Sequence, residues 1–468
     1  MTNIVPRGAG FVVAEIYVKQ LFGRYTYRIR SQNRETQHLA APPLMLLYGM
    51  NGSGKTTILR LLWHLLSIAP NKGHRTAIAT TPFRQFAVNL GNGTRIIVDK
   101  HDGLTGAYSI SVERDGKMLA RQFYQSPTEG HSGVIPVDTY RIPPKEVSDH
   151  YIAAARIRAI DPDVISDEDD VFTFETDDSY LSYLEYLGIK PVLLGDDRRL
   201  HADEEEPARA ARYEKANRLN DELPVNLQLA SSLSQTTEWL RQQLLSGAAM
   251  GSRGADEVYR EVLTQLGRIT ELDELPAIDE LRRRLISLDR RTKRFSDFGL
   301  ATHFESKSML GMLDSIPPSR LSLVASILDP YLTGQDARLD SLQATEKMVR
   351  TFVNYLNDYF DDKSVLFTPR NGIRIRSEDG NPIPPARLSS GERQLLLLLC
   401  RTVLSRQSTT LFMIDEPELS LNAKWQRRLV QTLLDLAEGS NVQFMMATHS
   451  IEIITRHRPY LAELKVVE

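Results

Sequence analysis

The residues with the plainest chemistry are Gly49-Met50-Asn51-Gly52-Ser53-Gly54-Lys55-Thr56. Phosphate oxygens need several donors converging on one point. Glycines at 49, 52 and 54 let the backbone turn so that successive N–H groups face inward. A helix starting near Lys55 adds the positive end of its dipole. The pattern predicts a cradle for a phosphate chain, lined by Gly49, Asn51, Gly52, Ser53, Gly54, Lys55, Thr56 and Thr57. Lys55 would reach the terminal phosphates, and the Thr56 hydroxyl would coordinate Mg²⁺.

Three further groups follow. Leu411-Phe412-Met413-Ile414-Asp415-Glu416 is an apolar strand ending in two acids. Such a strand brings its carboxylates to the carboxyl edge of a parallel sheet, where ligands bind in open α/β folds. Asp415 is the candidate to hold Mg²⁺, and Glu416 the candidate to orient and deprotonate an attacking water. Leu388-Ser389-Ser390-Gly391-Glu392 precedes an apolar helix. Hydroxyls and a glycine at a helix N-terminus can cradle an anion, though a capping turn has the same composition. His449 in Ala447-Thr448-His449-Ser450 follows a buried strand. An imidazole there can donate to a phosphate oxygen.

These groups need a scaffold. Leu44 to Tyr48 is a short apolar run that reads as a buried strand, and Thr56 to Ile68 has helical spacing. Phe11 to Arg30 reads as two strands around Phe22-Gly23-Arg24. Phe83 to Phe123 alternates and turns at Gly91 to Gly93 and at Asp115-Gly116, as an antiparallel sheet would. Val192 to Arg199 reads as a strand returning to the main sheet, Leu411 to Ile414 and Val442 to Ala447 as strands, and Trp425 to Ala437 as an amphipathic helix. Asp161 to Asp178 reads as an acidic solvated loop. Residues from Ala208 to Tyr359 are helical in spacing but broken at Pro224, Gly247 to Gly254, Pro276 and Pro317-Pro318, which predicts helices too short for a coiled-coil arm. Within them Arg282 to Arg294 is strongly basic. It reads as a solvated helix face, with a partner surface or a nucleic-acid contact as sharper alternatives.

Composition narrows the class. The 468 residues are 41% hydrophobic with a net charge of -3, which suits a globular chain of two or three domains and confines any DNA contact to a local patch. The lone cysteine, Cys400, reads as a small buried hydrophobe and suits a reducing cytoplasm. No signal peptide or membrane-length apolar stretch is apparent, so the expectation is a cytoplasmic protein without a membrane partner.

The order of these motifs resembles that of the ABC-type ATPase head. The motifs are the phosphate loop, the LSSGE segment, the strand ending Asp415-Glu416, the Pro417 to Asn422 stretch and His449. More narrowly it resembles the stand-alone SMC-, RecF- and OLD-related ATPases, including the ATPase subunits of the PARIS and Septu antiphage systems and the ATPase half of Gabija. The resemblance implies an α/β P-loop NTPase fold: a head with an antiparallel β subdomain and a helical insertion. The two halves of the head would be residues 1–200 and 361–468, and the insertion 201–360. It implies ATP and Mg²⁺ as ligands and a homodimer, or a higher homo-oligomer, with ATP sandwiched between heads. Lys55 and Thr56 of one chain would face Ser389, Ser390, Gly391 and Glu392 of the other. Glu418 to Asn422 would cross near the dimer axis. Gln85 or Gln125 would reach the metal, and Phe22 or Tyr25 would face adenine. Related chains continue into a Toprim nuclease, for which this sequence has no room after His449. The expected partner is therefore a separate Toprim or HNH effector, with the insertion as its docking surface and an antiphage sensor or scaffold role. The alternative is a RecF- or Rad50-type repair ATPase that binds DNA directly. A transporter subunit fits least, because transporters carry Ser-Gly-Gly-Gln where this chain has Ser-Ser-Gly-Glu.

Overall fold

The computed structural model describes residues 13–31, 42–69, 72–125, 135–137, 179–202, 228–245, 278–317, 320–406 and 411–464. The acidic stretch Asp161 to Asp178 lies outside them. Two compact units divide the chain: Met1–Leu219 with Ser405–Glu468, and Asn220–Leu404.

The first unit opens with β1 (Val13–Leu21), β2 (Tyr25–Arg30), β3 (Leu44–Tyr48), α1 (Lys55–Leu66) and α2 (His74–Thr80). Then come β4 (Gln85–Leu90), β5 (Thr94–Lys100), β6 (Tyr108–Arg114), β7 (Lys117–Gln125), β8 (Ile135–Val137), α3 (Ser179–Leu187), β9 (Pro191–Leu194) and β10 (Leu200–Ala202). The second unit holds α4 (residues 228–245), α5 (Ile278–Ser296), α6 (Ser306–Asp314), α7 (Leu321–Tyr359), β11 (Lys363–Thr368), β12 (Gly372–Ser377) and α8 (Ser390–Ser405). The chain returns to the first unit through β13 (Leu411–Asp415), α9 (Ala423–Ala437), β14 (Gln443–Ala447), α10 (Ile451–Arg456) and β15 (Leu461–Glu463).

In the first unit β2-β1-β4-β5-β6-β7-β8 form an antiparallel sheet. The other sheet has the order β10-β9-β13-β14-β3-β15 and is parallel except where β10 meets β9. Leu44–Leu47, Leu411–Asp415 and Gln443–Ala447 are buried at every position, as strands covered on both faces must be. One core joins the sheets: Ile16, Phe86 and Val98 from the antiparallel sheet, Leu59 and Leu62 from α1, and Met45, Met413 and Met445 from the parallel sheet. The buried Gln443 carboxamide ties the two sheets, accepting from the Val13 amide at 2.9 Å and donating to the Val13 and Pro42 carbonyls at 2.8 Å each. The α/β head with its antiparallel subdomain is thus present as the motifs required.

The second unit departs from the sequence reading in three ways. First, α7 runs unbroken for 39 residues through Pro330, where only short helices were expected. Proline removes one backbone donor and crowds the preceding turn. Packing offsets that here: Leu328, Leu332, Leu339, Leu342, Val349, Phe352 and Leu356 are buried along one stripe. Second, the basic run on α5 faces acids of α7. Arg284 pairs with Asp329 before the proline and Asp336 after it, Arg291 with Asp336 and Asp340, and Arg294 with Glu346. Arg282 pairs with Asp314 at 2.6 Å. Neighbouring helices hold Arg282, Arg284, Arg291 and Arg294, whereas Arg283, Arg290 and Lys293 are exposed, so the run is a helix seam on one side and a solvated face on the other. Third, residues 361–404 cluster with the helices. The Asn357 side chain accepts from the Val365 amide at 2.6 Å and donates to its carbonyl at 3.1 Å, fastening β11 to the end of α7. Cys400 is buried, and burial pushes its thiol up to about 12. Among the described residues no helix is long and apolar enough to cross a membrane.

Candidate nucleotide site

The parallel register builds the site. Asp415 pairs with Ala447, and Ala447 with Leu47, so β13, β14 and β3 end side by side. The phosphate loop leaves β3, Glu416 leaves β13 and His449 leaves β14 at this one edge.

The loop has the geometry of an anion cradle. Gly52 and Gly54 hold φ of 75° and 89°, a left-handed backbone that other residues adopt at a cost. A Cβ on Gly54 would lie 2.5 Å from Leu21 Cδ2, so only glycine fits between the loop and β1. α1 starts at Lys55 with no side-chain cap, which leaves its first-turn N–H groups available to a phosphate. Lys55 is only 6% exposed, and its ammonium donates to the carbonyls of Gly49 at 2.8 Å and Met50 at 3.1 Å. Burial lowers its pKa, and the charges of Glu416, Asp415 and Glu418 oppose that shift. Ser53 Oγ is buried and has no hydrogen-bond partner among the described residues.

The acids have distinct settings. Asp415 is 4% exposed, and its Oδ2 lacks a hydrogen-bond partner among the described residues. Burial raises its carboxyl to about 6, while a bond with Thr56 pulls the other way. Thr56 and Asp415 therefore touch, with one desolvated carboxylate oxygen to spare, and this hard-oxygen pair suits a divalent cation. Thr56 and Asp415 would hold Mg²⁺ here, and the ion would neutralise charge on the phosphates. Glu416 takes φ of 47°, a left-handed conformation that turns the chain after β13, and its carboxylate is half exposed. His449 Nε2 stands 4.0 Å from Glu416 Oε1.

Ser389, Ser390, Gly391 and Glu392 lie in the second unit at the start of α8. They form a capping box: the Ser389 amide donates to Glu392 Oε2 at 2.8 Å, and the Glu392 amide to Ser389 Oγ at 3.3 Å. Lys363 of β11 pairs with Glu392 at 2.9 Å. Ser389 and Ser390 are exposed and Gly391 is buried.

The remaining candidates separate. Phe22 is 44% exposed, and its ring edge would be 3.2 Å from a Cβ on Gly54, so it borders the loop. Tyr25 stacks on Tyr27 at 5.6 Å. Gln85 donates to Asp99 at 2.7 Å across β4 and β5, and Gln125 ends β7; both belong to the antiparallel sheet. The residue that sequence reasoning missed is Asp196. β9 runs parallel to β13 with Leu194 opposite Ile414, so Asp196 emerges at the same edge, paired to Arg60 of α1 at 3.0 Å. Its charge is among those that raise Asp415. An apolar run followed by Asp196-Asp197 repeats the Asp415-Glu416 pattern, and that was the available signal.

A model of the family described as "AAA domain, putative AbiEii toxin, Type IV TA system" matches residues 144–455. The chain belongs to this AAA family. The match includes the capping box, Asp415, Glu416 and His449 and begins after the phosphate loop. This AAA protein is also similar to the lipoprotein-releasing system ATP-binding protein LolD 1 of Rhodospirillum rubrum, 35% identical over 72 residues, covering 15% of this chain and 30% of LolD 1. The chain thus spans less than a third of that relative. Among solved structures, the Smc head of Pyrococcus furiosus bound to the C-terminal domain of ScpA has 12% identity and a TM-score of 0.36, over 97% of this chain and 96% of that one. The SMC head of Thermotoga maritima has 12% identity and a TM-score of 0.30, over 97% and 99%. At family level the protein is an AAA-type nucleotide-binding protein.

Proposed function

We propose that this AAA protein is a magnesium-dependent ATPase that works as a nucleotide-gated switch for a separate effector nuclease in antiphage defence. The observation that carries the ATPase reading is the convergence of Lys55, Thr56, Asp415, Glu416 and His449 on one sheet edge. Lys55 binds the terminal phosphates, and Thr56 with Asp415 would hold Mg²⁺. Glu416 takes the proton of the water that attacks the γ-phosphate, His449 donates to a γ-phosphate oxygen, and ADP leaves. Ser390 of a second chain completes the site, so ATP stabilises a closed dimer and hydrolysis releases it. The defence role is supported by the resemblance to PARIS- and Septu-type subunits and by the family's description, which names a toxin–antitoxin system, a two-protein arrangement.

The test is an ATPase assay with three variants. Lys55→Ala abolishes turnover. Glu416→Gln keeps ATP binding, blocks hydrolysis and accumulates dimer in sizing experiments. Mixing Lys55→Ala with Ser390→Arg chains restores one composite site per dimer; mixtures as inactive as the parents would refute the sandwich. Co-purification with a nuclease encoded beside it tests the effector, and two separate elution peaks would refute that part. The repair-ATPase reading takes second place, because Arg284, Arg291 and Arg294 are engaged by acids. Steeply salt-dependent DNA binding with DNA-stimulated turnover would reverse that order.

A further inference from the structure

Glu418 lies two residues past the candidate general base, yet its carboxylate is spent elsewhere. One oxygen, Oε1, accepts from Thr448 Oγ1 at 2.8 Å, the His449 amide at 2.6 Å and the Ser450 amide at 3.0 Å. Oε2 is buried without a hydrogen-bond partner among the described residues. Three donors on one carboxylate oxygen make a stiff, charge-assisted anchor. A second bridge runs beside it. Gln426 Nε2 donates to the Leu421 carbonyl at 2.8 Å, and Gln426 Oε1 accepts from Ser450 Oγ at 2.7 Å. Ser450 Oγ in turn caps α10 by accepting from the Ile453 amide at 3.2 Å.

The segment so anchored is strained at both ends. Glu416 and Ser420 hold φ of 47° and 64°, unusual for residues with a Cβ. The Leu419 amide donates to the Glu416 carbonyl at 3.0 Å, and the Leu421 amide to the Glu418 carbonyl at 2.9 Å. Residues 416–422 therefore hold a tight double turn, joined to the end of β14 by the Glu416 amide to the Ala447 carbonyl at 2.9 Å and clamped by Glu418 to the backbone amides of His449 and Ser450.

We propose that Glu418 is the positioning residue that sets His449 against Glu416 and makes the 416–422 turn and the histidine move as one piece. This rests on the ATPase reading. A shift of the turn, as when a second chain closes on Glu418 to Asn422, carries the His449 and Ser450 amides with it. The catalytic base and the phosphate-sensing histidine are then aligned together or not at all.

The experiment is a double-mutant cycle between Glu418→Ala and His449→Ala in the full chain. Turnover is read by phosphate release and affinity by a fluorescent ATP analogue with Mg²⁺. Glu418→Ala should lower kcat by about tenfold or more with affinity changed less than about threefold. On the His449→Ala background the same change should cost under about threefold, because the histidine it positions is gone. Amide hydrogen exchange at His449 and Ser450 should speed up in Glu418→Ala. Fully multiplicative losses, or wild-type kcat in Glu418→Ala, would overturn the proposal. Should Glu418→Ala fail to fold, Glu418→Gln keeps one acceptor oxygen and runs the same cycle, with the same sub-additivity expected and multiplicativity again overturning it. Wild-type turnover that Lys55→Ala abolishes keeps the ATPase reading whatever Glu418 does.

Discussion

The nucleotide edge of the first unit and the α5–α7 seam of the second treat polar groups in opposite ways. At the edge, Ser53 Oγ, Asp415 Oδ2 and Glu418 Oε2 are buried without hydrogen-bond partners among the described residues, and Lys55 falls back on its own loop carbonyls. Along the seam, arginines meet carboxylates pair by pair, and the fully buried Glu346 is bound by both Arg294 and Arg350. A buried polar atom without a partner costs stability, so a fold keeps it where something else is gained. Buried atoms without partners also occur elsewhere among the described residues, as at Trp63 Nε1, Trp239 Nε1 and Arg282 Nε, but at the edge they are a hydroxyl and two carboxylate oxygens gathered at one site.

The sharpest way to break that contrast is to remove the unspent charge. Asp415→Asn should cut hydrolysis by at least about a hundredfold by weakening the hold on Mg²⁺. In metal-free buffer at pH 7.5 it should melt higher than wild type, because a desolvated carboxylate is gone. A lower melting point would mean that Asp415 is structural. Next, Glu346→Gln should destabilise the second unit by roughly 2 kcal/mol in urea unfolding, since two arginines lose a buried acid. An unchanged midpoint would show that the seam contributes little.

A smaller effect tests a half-buried histidine pair. His64 and His74 face each other with 3.0 Å between their Nδ1 atoms. Burial first, then His74, Arg75, His201 and Arg60, lowers His64 from 6.5 to about 3. A histidine kept neutral in the fold leaves the unfolded state binding the extra proton between those values. Stability is therefore full above pH 6.5, falls as pH drops below it, and stops falling near pH 3. His64→Phe should flatten that slope by up to about 1.4 kcal/mol per pH unit, read from urea midpoints between pH 7.5 and 5. The smallest effect is the control. Arg427 and Glu452 pair across solvent, and Arg427→Ala should leave the midpoint where it was. A clear drop there would show that pairing alone, without burial, stabilises this fold.

What was legible in the sequence was local. Gly49 to Thr56 states its own geometry, because glycine positions and helix start are encoded within eight residues. Strands buried on both faces, such as Leu411–Asp415, announce themselves as unbroken apolar runs. The α7 helix was read only as part of a broken helical stretch: the breaks at Pro224, Gly247 to Gly254, Pro276 and Pro317-Pro318 all precede it, and its unbroken run through Pro330 depends on packing and on the partners α5 supplies. Glu418 was visible as a residue but not as a bridge, since its three donors lie about thirty residues downstream. Asp196 depends on strand order: only when β9 is found beside β13 does it share an edge with Asp415.

Helix α7 has a mechanical consequence. At about 1.5 Å per residue its 39 residues form a strut of roughly 58 Å. Its C-terminal end is fastened by Asn357 to β11, and Lys363 of β11 grips Glu392 of the box that holds Ser389. Leu321 is thereby linked through one continuous helix and two side-chain contacts to the exposed serines at the start of α8.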